Sequence, residues 1–486
     1  MLGRRAHKPI VRPWALAVPI LVFVVALPLL RPLRHPGADG VSDDEASRLA
    51  TIAAVVEHRH LSLEGLDLGP GVPLPDTELV SRNGKIFSSQ APMMAFLLAG
   101  PYWALGKFHL TLRSSPVLTA YLLTLIGVTI PIAAAAGAIY KAGRVFDLKR
   151  PVRCALAAIV VFGSGLISYA VVLNSHAPAA AFLLASMAAI VHVANSAKPR
   201  RNIWWLLAAG FCASLAAAVD PPAAVFPIPF FLAIFAMRWP IVRRSAGAAL
   251  FACGMLPPMF LHLALNYPIT GDWKPAVLHR ELLLTRTGTN AALASWGTVG
   301  AALAPASQPS AQADEDQPAP VGLAVLNRPG LRLIGATLGQ HGLLSHFPLL
   351  ILGMIGMYGV LRQNWPGVVK LLALACATGA LVVVVGYCWT WADVRGGMFA
   401  NRWFVVVVPL VLIWSGAWLR WKHRAMTWIA AGLLLVFSTA VSLLGATDPL
   451  PRGGYDSYTA RAALDHWLEP VKGPRATPFV AGTDRN

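Results

Sequence analysis

The sequence predicts an all-α polytopic membrane protein, a bundle of about eleven transmembrane helices with long loops on its outer face. Three observations predict it. Of the 486 residues, 56% are hydrophobic and only 13% are charged, and mean hydropathy is +0.59; soluble domains carry roughly 25% charged residues. Apolar runs of about 17–25 residues recur, each able to cross a hydrocarbon core about 30 Å thick. The basic residues, finally, concentrate in the connections between alternate runs.

The first element follows the basic opening "MLGRRAHKPIVRPW" and runs apolar from Trp14 to Leu30. A secretory signal peptide has this layout. Here "RPLRHPG" follows in place of a small-x-small cleavage site, so the stretch reads as an uncleaved helix over 14–31. Ten more helices are read at 115–140, 152–172, 177–196, 203–219, 223–239, 245–266, 343–361, 368–388, 403–419 and 426–445. With the N-terminus cytoplasmic, the inner segments are "GRRAHKPIVR", "KAGRVFDLKRPVR", "KPRRN", "RWPIVRR", "LRQNWPGVVK" and "LRWKHR". All are densely basic, and Asp147 is the one acid among them. Cytoplasmic loops of membrane proteins carry this bias. It accounts for 40 Lys and Arg against 22 Asp and Glu, so nucleic acid is not needed as a partner.

One apolar stretch, "APMMAFLLAGPYWALG" (91–106), would invert every later helix if it crossed. Interrupted by Pro92 and Pro101, it reads as a helix on the outer interface, with Tyr102 and Trp103 at headgroup depth. A membrane module thus fills 1–445, with outer loops at 32–114 and 267–342 and an outer tail at 446–486. Within the second loop, "APASQPSAQADEDQPAP" (304–320) has the composition of a mobile insertion. The five cysteines lie singly in or beside apolar runs, with no zinc spacing, and read as small packing residues.

On the outer side the distinctive polar residues converge. Asp43, Asp44, Glu45 and Arg48 open the amphipathic stretch "ASRLATIAAVVEH". Acids there either cap a helix or supply a general base for an acceptor hydroxyl; capping needs one acid, not three. Arg395 and Arg402 flank "GGMFAN". They either bind phosphate oxygens or, for Arg402, anchor a helix end at the interface. Asp393 either orients them or is solvated. His176 in "LNSHAP" either meets a leaving-group oxygen or caps a turn, and Asp220 before two prolines reads first as a turn residue. His341 and His346 line the entry to a late helix, while His58, Arg59 and His60 read as headgroup-facing. No P-loop, GxGxxG, GxSxG or zinc-protease motif stands in a fitting context.

These residues resemble the GT-C superfamily of membrane glycosyltransferases, above all bacterial relatives of protein O-mannosyltransferases and lipid A aminoarabinose transferases. "DDEASRLATIAAVVEHRHLSL" is similar to the family's Asp-Glu opening, and "NGKIFSSQAPMMAFLLAGPYWALGKFHLTLRSSPV" to its following loop and interfacial helix, closing on Arg113. "GLLSHFPLLILGMIGM" and "GGMFANRWFVVVVPL" resemble late-helix motifs, the second through Arg402. The middle of the chain matches in hydropathy alone. The resemblance implies a multi-pass protein of the bacterial inner membrane, N-terminus inside and C-terminus outside. It would take sugar from a polyprenyl phosphate and give it to an extracytoplasmic lipid, polysaccharide or protein. Asp44 takes the place of the catalytic carboxylate, with Glu45 beside it. Arg48, Arg395, Arg402, His176 and His346 fall to substrate. Where many relatives have a phosphate-binding Lys, this chain has Gln90, so Lys85 or Arg113 would compensate. Where some carry an acid in the second outer loop, "NSH" stands, so no cofactor is expected and a divalent cation is not supported. A transporter or lipid flippase is the non-enzymatic alternative, disfavoured because the acids sit at helix ends and no internal repeat is visible. A surface-polysaccharide polymerase or ligase would share the topology and the lipid-phosphate chemistry.

Overall fold

The computed structural model describes residues 13–30, 42–69, 72, 75, 79–196, 202–279, 282, 329–390, 398–421, 423–447, 449 and 459–461. The insertion at 304–320, Asp393, Arg395 and most of the 446–486 tail lie outside the described residues.

Helices dominate because the apolar runs can satisfy their backbone groups internally. The first is α1 (Pro13–Ala26), followed by α2 (Asp43–Ala53), which ends in a π turn over Ala54–His58. Strands β1 (Leu79–Arg82) and β2 (Lys85–Ser88) pair antiparallel, Arg82 opposite Lys85, around an Asn83–Gly84 turn with φ of 50° and 75°. Positive φ at both turn residues suits a two-residue hairpin. This hairpin is an addition to the all-helical expectation. Next come α3 (Pro92–Gly106), α4 (Pro116–Phe146), α5 (Arg150–Phe162), α6 (His176–Ala194), α7 (Trp205–Val219), α8 (Pro227–Ile234) and α9 (Ile241–Thr270). After the second outer loop stand α10 (Pro329–Leu338), α11 (Leu350–Arg362), α12 (Gly367–Thr390), α13 (Val407–Leu412), α14 (Ser415–Arg420) and α15 (Ala425–Gly445).

Among the described residues five helices, α4, α6, α9, α12 and α15, are long and apolar enough to cross a membrane, or six if Gly330–His346 and Leu350–Arg362 form one span bent by 92°. The expected eleven do not appear as eleven continuous helices. The segment read over 152–172 stops at Phe162, turns through Gly163–Gly165 and resumes for Leu166–Tyr169. Those read over 223–239 and 403–419 divide likewise, into a 3-10 turn and α8, and into a 3-10 turn, α13 and α14. Pro101 does not interrupt α3, whereas Pro92 sits at its start, where no amide donor is lost.

Close packing sets the bundle. Helix α7 lies along α9, and a Cβ added at Gly210 would fall 1.9 Å from the Phe251 carbonyl oxygen, one at Gly254 2.1 Å from that of Leu207. Two glycines facing each other's backbones let apolar helices approach where lipid gives no hydrophobic drive. Outward faces stay apolar, as with Leu433 and Val436, each 67% exposed on α15. At one end of the bundle Arg420 pairs with Asp147 at 3.2 Å and covers Trp365, which meets Phe146 edge-on. The turns on either side of these residues carry the basic segments. Helix α12 leads from there over 24 residues, roughly 36 Å at 1.5 Å per residue, to Tyr387 at the opposite end.

Candidate active site

Helix α2 is started by Ser42. Its Oγ accepts from the Glu45 amide at 3.4 Å, and Glu45 Oε2 accepts from the Ser42 amide at 3.2 Å. This reciprocal cap satisfies the orphan donors of the first turn. Glu45 Oε1 also accepts from the Leu173 amide at 3.2 Å, which ties α2 to the loop before α6. The cap is therefore complete without Asp44. Asp43 opens α2, and its side chain lies outside the described residues.

Asp44 instead faces a cavity of about 720 Å³ at the Tyr387 end of α12. Its Oδ2 forms an ion pair with Arg402 Nη1, and its Oδ1 accepts from Gln90 Nε2 at 3.0 Å. Gln90 Oε1 in turn accepts from Arg48 Nη2 at 2.8 Å, and the same nitrogen donates to Ser175 Oγ at 3.1 Å. Arg48 Nη1 returns to the Asp44 carbonyl at 3.0 Å. Four segments thus hold this carboxylate against the Arg402 guanidinium, with Arg48 joined to it through Gln90. Across the cavity, His176 Nδ1 lies 2.8 Å from Asp220 Oδ2. The Arg402 guanidinium covers the Trp403 ring at 4.4 Å, and Trp403 stacks on Tyr387 at 5.1 Å and meets His176 edge-on at 5.7 Å. Asp44, Arg48, His176, Asp220 and Arg402 are between 2% and 9% exposed, so these charges are held against one another and not solvated. The remaining walls are mostly apolar, with Val219, Pro222, Val225, Val382 and Val383 among them.

Four expected residues therefore meet in one place, Asp44, Arg48, His176 and Arg402, and with them stands Asp220, read first as a turn residue. Others do not. Lys85 lines a separate hollow beside the hairpin. Arg113 is exposed and pairs with Asp67 at 3.4 Å. His346, on the short turn Leu343–His346, is fully buried and hydrogen-bonded to the Gly342 carbonyl and Thr459. His341 is buried as well and, like His346, does not line the cavity. Tyr102 is 2% exposed, and its hydroxyl donates to Glu57 and accepts from the Leu112 amide; Trp103 is 59% exposed. Burial and the Glu57 carboxylate raise the Tyr102 pKa above its ordinary value. Gln90, read only as a missing lysine, is the bridge between Asp44 and Arg48. Tyr387 and Trp403 were not singled out, though aromatic residues crowd "YCWTWADVRGGMFANRWF".

Among the described residues no group of three His, Cys, Asp or Glu side chains is placed to hold a metal ion. Asn174, in the turn before α6, caps its own turn: its Nδ2 donates to the Tyr169 and Val172 carbonyls and its Oδ1 accepts from the Ala177 amide. A carboxylate paired with a guanidinium, beside a buried His–Asp pair and an apolar wall, can accept a proton while cations take up an anionic leaving group.

No protein-family model matches the chain, and no curated protein sequence does. Among solved structures, it is similar to the apo oligosaccharyltransferase of Archaeoglobus fulgidus, with 12% identity and a TM-score of 0.48 over 96% of this chain and 62% of that one. The same organism's AglB, solved with an inhibitory peptide and a dolichol-phosphate, gives 13% identity and a TM-score of 0.47 over 96% and 61%. ArnT from Cupriavidus metallidurans, bound to undecaprenyl phosphate, gives 13% and 0.48 over 89% and 69%. The chain thus spans less than two thirds of the oligosaccharyltransferase it is similar to.

Proposed function

We propose that the chain is a membrane glycosyltransferase that moves a sugar from a polyprenyl-phosphate donor to an acceptor hydroxyl on the outer face. The observation that carries this reading is the Asp44–Arg402 ion pair set in the wall of a largely apolar cavity. An ionised acid and a stacked arginine are costly to bury and gain little as a structural pair. They become useful when an anion arrives. A donor phosphate entering beside Arg402 would draw the guanidinium from Asp44 and leave Oδ2 open to the acceptor. The acceptor oxygen then attacks the anomeric carbon and its proton passes to Asp44. The bond from that carbon to the phosphate oxygen breaks, and its electron pair stays on the phosphate. Arg402 and Arg48 compensate the charge that develops there. One displacement inverts the anomeric centre. The apolar wall around Val225 and Val382 suits the first isoprene units of the donor.

His176 supports a second reading of the base. Asp220 holds Nδ1, and among the described residues Nε2 has no hydrogen bond, so this nitrogen is available either to the leaving oxygen or to the acceptor proton. We assign it to the leaving group because the guanidinium that holds the Asp44 carboxylate, that of Arg402, is one that a phosphate would recruit.

We also read the shorter apolar helices as membrane segments, giving about eleven crossings with the N-terminus inside and the site outside. The meeting of basic turns at Asp147 and Arg420, opposite Asp44, supports that orientation.

Proteoliposomes supplied with a panel of radiolabelled polyprenyl-phosphate sugars test the activity. Label should enter a glycosidic bond with an outer acceptor. Movement of lipid or solute across the membrane without bond formation would replace the transferase by a transporter.

A further inference from the structure

A second hollow, of about 490 Å³, opens on the loop side of the molecule, and its lining includes Arg59, His60, Arg82 and Lys85 but no acid. Two independent pieces of chain bring these groups together. Arg59 ends the π turn after α2 in the left-handed region, φ 57°, a place usually taken by glycine. Arg82 and Lys85 face each other across the hairpin. Arg82 is fixed there: its Nη1 donates to the Tyr267 carbonyl at 3.0 Å and more weakly to that of Pro268. Gly271 leaves room for it, since a Cβ at that residue would stand 2.4 Å from the guanidinium.

Three exposed cations elsewhere meet acids, in Arg113–Asp67, Lys274–Asp272 and Arg420–Asp147, while Lys107 and Arg362 lie over aromatic rings. Among the described residues Arg59, Arg82 and Lys85 form no ion pair. A helix C-terminus attracts bases through its macrodipole, which accounts for His58 and Arg59. It does not account for Arg82 and Lys85, which come from strands. Nor does orientation bias, since under the orientation proposed above the cluster stands in the first outer loop, where basic residues are not expected. What remains is concentrated positive charge in a concave site.

We propose that this hollow is a second anion site, which takes a phosphate-class oxyanion between Arg59, Arg82 and Lys85. The forked guanidinium groups match its oxygens, and the lysine adds a point charge. Phe87 separates the hollow from the Asp44 cavity: it lines the hollow and belongs to one apolar cluster with Val80, Ile269 and Ala276, and Ala276 lines the cavity. An anion held here lies one apolar layer from the transfer site. The proposal goes beyond the transferase reading and does not rest on it.

The test is equilibrium binding of labelled inorganic phosphate to the full-length protein in nanodiscs of phosphatidylcholine. Arg59→Ala with Lys85→Ala alters side chains on the exposed rim, so the fold should persist, which thermal unfolding checks. The double variant should bind one phosphate fewer per chain than wild type, or bind it about tenfold or more weakly. Arg59→Lys with Lys85→Arg should restore it. Repeating the titration with phosphatidylglycerol in the disc separates the sources. Displacement of label supports a lipid headgroup, and undisturbed label supports a free or acceptor-borne phosphate. Equal binding by wild type and the double alanine variant would overturn the site, as would no saturable binding by wild type in either lipid.

Discussion

Asp44 accepts from Gln90 through one oxygen and pairs with Arg402 through the other, so its proton affinity depends on where those partners stand. Under the proposed mechanism, Asp44→Asn keeps the shape and loses the base; general bases contribute about 10²–10⁴-fold, and transfer should fall by that much while donor binding persists. Arg402→Lys should raise the donor KM and lower turnover, because an ammonium cannot reproduce the fork or the stacking on Trp403. Initial rates across donor concentrations separate the two effects. Gln90→Ala leaves Arg48 and Asp44 each short of a buried hydrogen bond, a loss of about 1–3 kcal/mol, and thermal unfolding should register it alongside slower transfer. The types of these residues were legible in the sequence, since an acid cluster and late arginines stand out in a chain with few charges. Their pairing was not. Asp44 and Arg402 are 358 positions apart, and no local pattern fixes which arginine meets which acid. Nor could composition show that Gln90 offers an acceptor to one side and a donor to the other.

Among the elements, α2 decides where Asp44 points. Its cap uses Ser42 and Glu45, and the same glutamate reaches the Leu173 amide, so the frame around Asp44 is set before substrate enters. Ser42→Ala should cost about 1 kcal/mol and blunt transfer without changing donor specificity, measured by unfolding and by rates in parallel. The contact of α7 with α9 is stricter. Gly210→Val should destabilise the bundle by about 1–3 kcal/mol or more, because a side chain must displace the Phe251 carbonyl; a lowered unfolding temperature in detergent is the readout. Helix positions were readable from apolar run length, and α6, α12 and α15 begin and end within a residue or two of expectation. The breaks were harder to read. A turn at Gly163–Gly165 interrupts a run whose hydropathy continues across it, and hydropathy averages over such turns. The hairpin at 79–88 went unread because its two strands have four residues each.

For the whole molecule, charge is sorted by end. Basic turns meet around Asp147, Arg420 and Trp365, while the buried acids Asp44 and Asp220 stand at the other end of α12. Orientation follows if the positive-inside bias holds. In a protein whose own cysteines are replaced, Lys149→Cys should react with an impermeant thiol reagent only from the cytoplasmic side, and Asn83→Cys only from outside. The central claim is that Asp44 takes the acceptor proton at a cavity built for a lipid phosphate. Its most direct test compares transfer by wild type, Asp44→Asn and His176→Gln in the same vesicles at saturating donor. The account predicts that Asp44→Asn removes nearly all turnover while His176→Gln keeps a measurable part of it. Turnover at the wild-type rate in Asp44→Asn, with loss in His176→Gln, would contradict it and give the base to the histidine.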